Sequence, residues 1–238
     1  MDVGCGTGEL SAFLAELVGP TGTVTGVDPD SCRIKLAIEA YSGIKNLSFI
    51  QGDDVNFPGN GSETYDIVFS NHVLHWIANK QSAFRESFRA LKPGGKMAAE
   101  YFGHGFALIA RSLEVLDPEN AERVKERCHF EEKWKVEQFC KRAGFDIVKS
   151  YDTPSSVMSF ATTDSFVKWL LETHAILDPK QITEDRVEEL GKPPFSMENE
   201  FFSRLVAVKQ GTHAKWRLAV GGHFNTELST VRLFVPLT

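Results

Sequence analysis

The stretch Asp2-Val3-Gly4-Cys5-Gly6-Thr7-Gly8-Glu9 places an acidic residue just before three alternating glycines. Glycine lacks a Cβ and reaches φ > 0 without steric cost, so backbone in such a turn can come close to a ligand. The spacing is G-x-G-x-G, which departs from the G-x-G-x-x-G of dinucleotide-binding turns. Further along stand Asp28, the pair Asp53 and Asp54, and the run Asn71-His72-Val73-Leu74-His75-Trp76. Asp28 could accept hydrogen bonds from both hydroxyls of a ribose, or serve as a helix N-terminal carboxylate favoured by the dipole. Asp53 or Asp54 could accept from an adenine amino group, or simply shape a turn. His72 is either a base, a substrate-orienting group or a packing residue, whereas His75 reads as structural. Trp76 either walls a substrate cavity or joins the core.

These residues need elements to position them. Leu10, Phe13, Leu14, Leu17 and Val18 recur at helical spacing and stop at Gly19-Pro20. The β-branched run Thr23-Val24-Thr25-Gly26-Val27 predicts a strand ending at Asp28. A helix from about Asp30 carries Ile34, Ala37, Ile38 and Tyr41 on one face, with Gly43 past its end. Residues 47–50 form a third strand, closed by Gln51-Gly52-Asp53-Asp54. Asp66-Ile67-Val68-Phe69-Ser70 is a buried strand that leaves Asn71 and His72 at its exit. A helix marked by Phe84, Phe88 and Leu91 ends in Lys92-Pro93-Gly94-Gly95, and residues 96–102 make the next strand. Alternating strands and helices with short connections predict a parallel sheet covered on both faces, with right-handed crossovers. Every candidate residue then falls at the carboxyl end of a strand, where open α/β sheets bind ligands.

Beyond residue 102 the pattern is less regular. Phe106, Ile109, Ala110 and Leu113 suggest a helix, and the charged stretch 114–133 reads as a solvated face. Residues 134–143 form a helix closed by Gly144, followed by a strand at 145–148. Phe166, Trp169, Leu170, Ile176 and Leu177 form another helical stripe, and 202–209 reads as a last strand. A hairpin is conceivable around Gly221-Gly222.

The 238 residues are 42% hydrophobic and 24% charged, which suits one domain with a sizeable core. Lys+Arg 26 against Asp+Glu 32 gives a net charge of −6, which argues against a broad phosphate-binding surface and hence against a nucleic-acid partner. No apolar run is long enough for a transmembrane helix, so no membrane partner is expected. Cys5, Cys32, Cys128 and Cys140 show neither C-x-x-C nor metal-type pairing with histidine. A reduced, cytoplasmic, monomeric protein without a bound metal is the expectation.

Taken together, DVGCGTG, VTGVDPD, QGDD and FDIVFSNHVLHW with LKPGG after it resemble the class I S-adenosylmethionine-dependent methyltransferases of the small-molecule type. The resemblance covers roughly residues 2–102. It implies an α/β, doubly wound, mostly parallel seven-stranded sheet of Rossmann-like methyltransferase fold, with helical additions over the strand ends. It implies S-adenosyl-L-methionine as cofactor, with Gly4, Cys5, Gly6 and Gly8 lining the methionine part. Asp2 would reach the ammonium, Asp28 the ribose, Asp53 and its neighbour Asp54 the adenine, and Asn71 would present backbone to the methionine end. The pattern Leu74-His75-Trp76 with LKPGG is similar to the trans-aconitate and juvenile hormone acid methyltransferase group, enzymes that esterify carboxylates.

On this reading residues 1–210 are the methyltransferase domain. Its cofactor half is 1–102, its substrate-cap elements are about 103–130 and 154–197, and 211–238 is a tail of unassigned structure. The reaction is methyl transfer to a small-molecule acceptor. A sulfonium is already an activated electrophile, so the protein must align the reactants and exclude water. A carboxylate or amine acceptor needs no general base near neutral pH, while a hydroxyl or carbon acceptor does. His72 and Trp76 are the candidate substrate contacts, and His72 is the candidate catalytic group. The apolar residues of the cap suggest an acceptor with a hydrophobic portion.

The same residues bear on several alternatives. A nicotinamide dehydrogenase is disfavoured by the glycine spacing. A nucleic-acid amino-methyltransferase is disfavoured because Asn71-His72-Val73-Leu74 stands where N-P-P-Y would be. An arsenite methyltransferase would need clustered thiols, and only Cys5 is near the glycine motif. Met1 directly precedes Asp2, which leaves a truncated first strand and suggests an amino-terminally shortened form. That form would either turn over poorly or be a catalytically idle cofactor-binding protein.

Overall fold

The first strand is brief and sits in the middle of the sheet. In a computed structural model that describes residues 1–103, 107–154, 159–173, 179–191, 195–196 and 201–210, β1 (Asp2–Val3) leads through the glycine turn into α1 (Glu9–Val18). There follow β2 (Val24–Asp28), α2 (Ser31–Tyr41), β3 (Leu47–Gln51) and β4 (Tyr65–Asn71). After a 3-10 turn at Leu74–Trp76 come α3 (Lys80–Ala90) and β5 (Leu91–Phe102). The second part runs α4 (Ala107–Leu116), α5 (Pro118–Arg127), α6 (Lys133–Arg142), β6 (Asp146–Pro154), β7 (Ser159–Phe160), α7 (Thr163–Thr173), α8 (Glu184–Glu189), β8 (Phe195–Ser196) and β9 (Phe201–Val208).

Among the described residues seven strands form one sheet in the order β3-β2-β1-β4-β5-β9-β6. The pairings from β3 to β5 are parallel, while β9 runs antiparallel between β5 and β6. The α/β, doubly wound, mostly parallel arrangement expected from the alternation is therefore present. β7 and β8 make a separate two-stranded pair. The strand order reverses at β1, which pairs with β2 through Asp2↔Gly26 and with β4 through Asp2↔Phe69. This reversal opens the crevice into which the glycine turn projects.

Local chemistry accounts for the element ends. Asp30 caps α2 by accepting from the backbone N–H groups of Cys32 and Arg33, and Asp117 caps α5 with Pro118 at its first position, where a missing N–H costs nothing. Gly144 closes α6 at φ 106. The charged stretch 114–133 contains α5, whose buried residues are Ala121 and Val124. Its charges line the solvated faces.

Two expectations need correction. The segment Lys92-Pro93-Gly94-Gly95 does not end a helix; it belongs to β5. Its backbone is paired from the far end of β9, with Gly94 N–H donating to Lys209 O (2.7 Å) and Lys209 N–H to Gly95 O (2.9 Å). The strand expected at 145–148 runs on to Pro154, because β9 lies against its full length. Phe106, Ile176, Leu177, the Gly221-Gly222 hairpin and the tail 211–238 lie outside the described residues.

Two apolar clusters result. Val3, Val27, Val68, Leu74, Phe84, Met97, Tyr101 and Val136 form the core around the sheet. Ile109, Leu113, Leu116, Val124, Phe166 and Leu170 form a second core within the helices of the cap. Phe102 and Phe202 pack on the edge of this second core, at the strand ends where the two halves meet.

Candidate functional site

The glycine turn is held open by conformation and by its neighbours. Gly4, Gly6 and Gly8 have φ of 75°, 57° and 94°, a left-handed region that costs an L-residue about 1–2 kcal/mol. A Cβ on Gly4 would lie 2.2 Å from Val73 Cγ2, and one on Gly8 would lie 2.6 Å from the Phe49 ring. A Cβ on Gly6 would meet nothing within 4 Å. The turn is thus pressed against β4's exit at Gly4 and against β3 at Gly8, with open space above Gly6.

Backbone hydrogen bonds lace this turn to the next strand end. Gly4 and Cys5 N–H both donate to Val27 O, at 2.7 and 3.0 Å. Asp28 then receives Gly6 N–H on Oδ2 (2.9 Å) and Asp30 N–H on Oδ1 (2.9 Å). Asp28 is buried, and each oxygen keeps a further lone pair. The helix N-terminal role falls to Asp30, which caps α2. The Asp28 carboxylate shapes the loop and still has capacity to accept from a diol.

Asp2, expected to reach the ammonium, faces α1. It is 2% exposed and accepts from Ser11 Oγ at 2.6 Å, so it ties the turn down onto α1. Burial pushes its carboxyl up to about 6, against the lowering effect of Ser11. Cys5 contributes backbone, while its thiol is buried toward Gly26 and pushed by burial up to about 12. No reactive thiolate is present in the turn.

The two aspartates after β3 divide their work. Asp53 Oδ1 accepts from Val55 N–H (2.9 Å) and Asn56 N–H (2.7 Å), the self-contained turn that such residues favour. Asp54 shares a small cavity with Val3, Ser70, Leu74, Ile77 and Met97, and burial raises its carboxyl above the ordinary range.

At the β4 exit, Asn71 Oδ1 and Ser70 Oγ are buried and make no hydrogen bond within the structure, an uncompensated state that costs about 1–3 kcal/mol per group. His72 follows at φ 56, a conformation that a residue with a side chain holds only when its surroundings over-determine it. They do so here. His72 N–H donates to Glu100 O (2.9 Å), and Nε2 lies 3.0 Å from Glu100 Oε1. The imidazole stacks on Phe202 at 5.0 Å between centroids and tilts against Phe102 at 4.6 Å. Glu100 Oε2 is paired with Arg204 Nε.

His75 is buried among Trp76, Phe102 and Phe130, and its backbone O accepts from His129 N–H at 2.6 Å. Its environment is that of a packing residue. Trp76 is partly exposed beside it. Lys80, buried, donates to Ile77 O (2.8 Å) and to His129 O, and desolvation pulls its ammonium down to about 8. It clamps the segment after α5 to the β4 exit.

Gly4, Gly6, Gly8, Asp28, Asn71 and His72 therefore stand at or just beyond the ends of the neighbouring strands β1, β2 and β4, while Asp2 and the Cys5 thiol are turned inward. Sequence reasoning missed Glu100, Arg204, Ser11 and Lys80. The signal for the first two was a lone carboxylate in the apolar strand KMAAEYF and a lone cation in FFSRLVAV. A cationic sulfonium nucleoside fits this donor set. Open space lies over Gly6, a carboxylate with spare lone pairs stands next to it, and an unpartnered amide oxygen sits at the neighbouring strand end. Among the described residues no group of histidine, cysteine and carboxylate side chains could hold a metal ion.

Comparison with known proteins agrees with the geometry. The family described as "Methyltransferase domain" is matched over residues 1–173. Malonyl-[acyl-carrier protein] O-methyltransferase 1 of Ilyobacter polytropus is 32% identical over 120 residues, covering 50% of this chain and 44% of that protein. Arsenite methyltransferase of Mus musculus is 33% identical over 134 residues, covering 52% of this chain and 34% of that protein. The chain thus spans less than half the length of either relative. The YcgJ protein of Bacillus subtilis shares the fold with a TM-score of 0.62 at 15% identity, over 88% of this chain and 90% of that one.

Proposed function

The chain belongs to the methyltransferase domain family, class I and S-adenosylmethionine-dependent, and on that premise we propose that it transfers the methyl group to a small-molecule acceptor. The observation that supports this reading is the glycine turn itself, left-handed at Gly4, Gly6 and Gly8, bound through Gly6 N–H to Asp28, pressed on the β4 exit at Val73 and open above Gly6. In our proposal Gly4, Gly6 and Gly8 line the methionine part of the cofactor, Asp28 accepts from the ribose hydroxyls, and Asn71 receives the polar methionine end. Asp53 and Asp54 border the adenine, while Asp2 and Cys5 act by holding the turn. When bound, the cofactor supplies an activated methyl group. The residues of this chain orient the acceptor and keep water out, through His72, Trp76, Phe102 and Phe202 at the boundary with the cap.

The pattern Leu74-His75-Trp76 suggests a carboxylic acid as acceptor, which needs alignment but no base. A second reading rests on His72, whose hydrogen-bonded imidazole suits an acceptor that must lose a proton. We further propose a cytoplasmic monomer with no nucleic-acid partner, in keeping with the −6 charge. No helix among the described residues is long and apolar enough to cross a membrane.

The test pairs calorimetry with S-adenosylhomocysteine and labelled S-adenosylmethionine offered with a panel of small acids, amines and phenols. Saturable binding and label in a small product are expected. Absence of binding would remove the proposal; binding without transfer to any acceptor would mark an idle cofactor-binding protein.

A further inference from the structure

The two faces of the sheet are covered unevenly. The register places Asp2, Phe69, Ala98 and Val206 in one row across β1, β4, β5 and β9, and Ile67, Lys96 and Val208 in the row below. Asp2 accepts from Ser11 of α1, so these rows lie on the α1 side of the sheet. Alternate residues, Val3, Val68, Met97, Leu205 and Ala207, point to the other side and join the core there with Phe84 of α3 and Val136 of α6. On the α1 side, α1 and α2 pack over β2 and β3, and the cap core takes in Phe102 and Phe202 at the upper end. In the lower row Ile67 is left 51% exposed, with Ala98, Val206 and Val208 half-buried beside it.

The helix next to these rows turns its apolar stripe the wrong way. α1 buries its small residues Ser11 and Ala15, while Leu10, Phe13, Leu14 and Leu17, at i, i+3, i+4 and i+7, stay partly exposed. An amphipathic surface helix ordinarily faces such a stripe to the core. At the start of α1, Gly8 faces Ala37 of α2, and Glu9 lies within electrostatic reach of Tyr41 on the same helix. A turn of about 3.6 residues puts Leu10, Leu14 and Leu17 on the opposite flank, away from α2 and over β1 and β4. That flank and the lower rows of β4, β5 and β9 border one apolar trough.

The chain carries a segment that fits it. β9 is antiparallel and ends at Val208, so the polypeptide leaves the sheet at the lower rim of this face, where Gln210 Nε2 donates to Asp146 Oδ2 (2.5 Å). Residues 211–238 follow, outside the described residues. From β9 to β4 is two strand spacings, about 10 Å, and residues 211–214 span that distance at about 3.3 Å each. Next in sequence, Trp216, Leu218 and Val220 alternate with Lys215, Arg217 and Ala219, a pattern that offers apolar side chains to one side and cations to solvent. Tethered at the rim, this segment acts at a high effective concentration that a separate partner lacks.

We propose that the carboxy-terminal segment docks in this trough, with Trp216, Leu218 and Val220 set against Leu14, Leu17 and Ile67. It covers the bare sheet face and steadies the helix that follows the glycine turn.

Two measurements on the full chain test this, and neither uses cofactor or acceptor, so their outcome is independent of the proposed function. In the first, photoreactive p-benzoylphenylalanine replaces Leu17, which is 55% exposed. Irradiation should link it within one chain to a peptide from residues 211–238, identified by mass spectrometry. Links between two chains, links only to other parts of the same chain, or no link would overturn the proposal. The second is a double-mutant cycle read by melting temperature. An uncovered surface side chain is nearly neutral to substitution, whereas Leu17→Lys and Trp216→Lys should each lower the melting temperature by roughly 2–4 °C. The combined variant should lose clearly less than the sum of the two. Unchanged melting in either single variant, or shifts that add in full, would overturn the contact.

Discussion

Around the glycine turn, position is fixed by main chain: Gly4 and Cys5 N–H on Val27 O, Gly6 N–H on Asp28, Gly52 N–H on Asp28 O at 3.1 Å, and three φ angles that only glycine takes readily. Across the crevice, the cap helices α4, α5, α7 and α8 meet through side chains such as Leu113, Leu116, Val124, Phe166 and Leu170. Polar ties join them as well, among them Arg186 Nη1 on Leu116 O (3.1 Å), the Lys125–Glu114 ion pair between α5 and α4, and the buried Asp117 cap. The two halves touch through Phe102, Phe202, the His129–His75 backbone bond and Lys80. Backbone geometry tolerates little change, whereas an apolar core keeps its fold through many volume-conserving substitutions. The half proposed to hold the cofactor is therefore the rigid one. The half proposed to select the acceptor is built from interactions that can be retuned.

The largest expected effect separates the halves outright. Phe166 is fully buried in the cap core, so Phe166→Ala should cost about 3–5 kcal/mol. If the division holds, limited proteolysis should open the cap while S-adenosylhomocysteine affinity measured by calorimetry stays nearly unchanged. A parallel loss of affinity would show the halves to be one unit.

Gly4→Ala attacks the rigid side. Its Cβ would collide with Val73 at φ 75, adding about 1–3 kcal/mol of overpacking to about 1–2 kcal/mol of backbone strain. Cofactor affinity should fall roughly 100-fold. Pairing it with Val73→Ala should recover part of the loss, whereas Gly6→Ala, which meets open space, should carry the backbone strain alone. Equal losses for Gly4→Ala and Gly6→Ala would sink the steric account.

Asp28→Ala should cost about 1.5–3 kcal/mol of cofactor affinity, the range for charge-assisted hydrogen bonds. Unchanged affinity in that variant would confine Asp28 to its loop bonds with Gly6 and Asp30.

The smallest effect is a pH dependence. Asp2 has its carboxyl raised to about 6 in the fold, from an unfolded value near 4. Between those values the folded state binds more protons, so Asp2's contribution to stability grows as pH falls through about 6 and is lost above it. Asp2→Asn should therefore be most favourable relative to the native chain at pH 7, with the difference shrinking toward pH 4. Melting temperatures of both proteins across this range would show it, and a difference that grows on acidification would reverse the assignment.

Much of the cofactor half was legible in the sequence because its determinants are local. The G-x-G-x-G spacing required left-handed backbone, the β-branched run ending at Asp28 required a strand, and Asp30 lies two residues before Cys32, whose N–H it caps. Asp53 was legible as a turn residue for the same reason, since its partners Val55 and Asn56 are its near neighbours. The inward turn of Asp2 was not, because it depends on how α1 folds back to bring Ser11 within reach.

By itself, then, the sequence determined the α/β alternation, the glycine turn and the strand ends at which Asp28, Asn71 and His72 stand. Tertiary structure alone decided that β9 enters antiparallel between β5 and β6, that residues 91–95 extend β5, and that Glu100 lies between His72 and Arg204. The physical reason is separation along the chain. Turn, strand and helix signals act over a few residues, whereas the Glu100–Arg204 pair spans 104 positions. It exists only once the register of β5 against β9 is set.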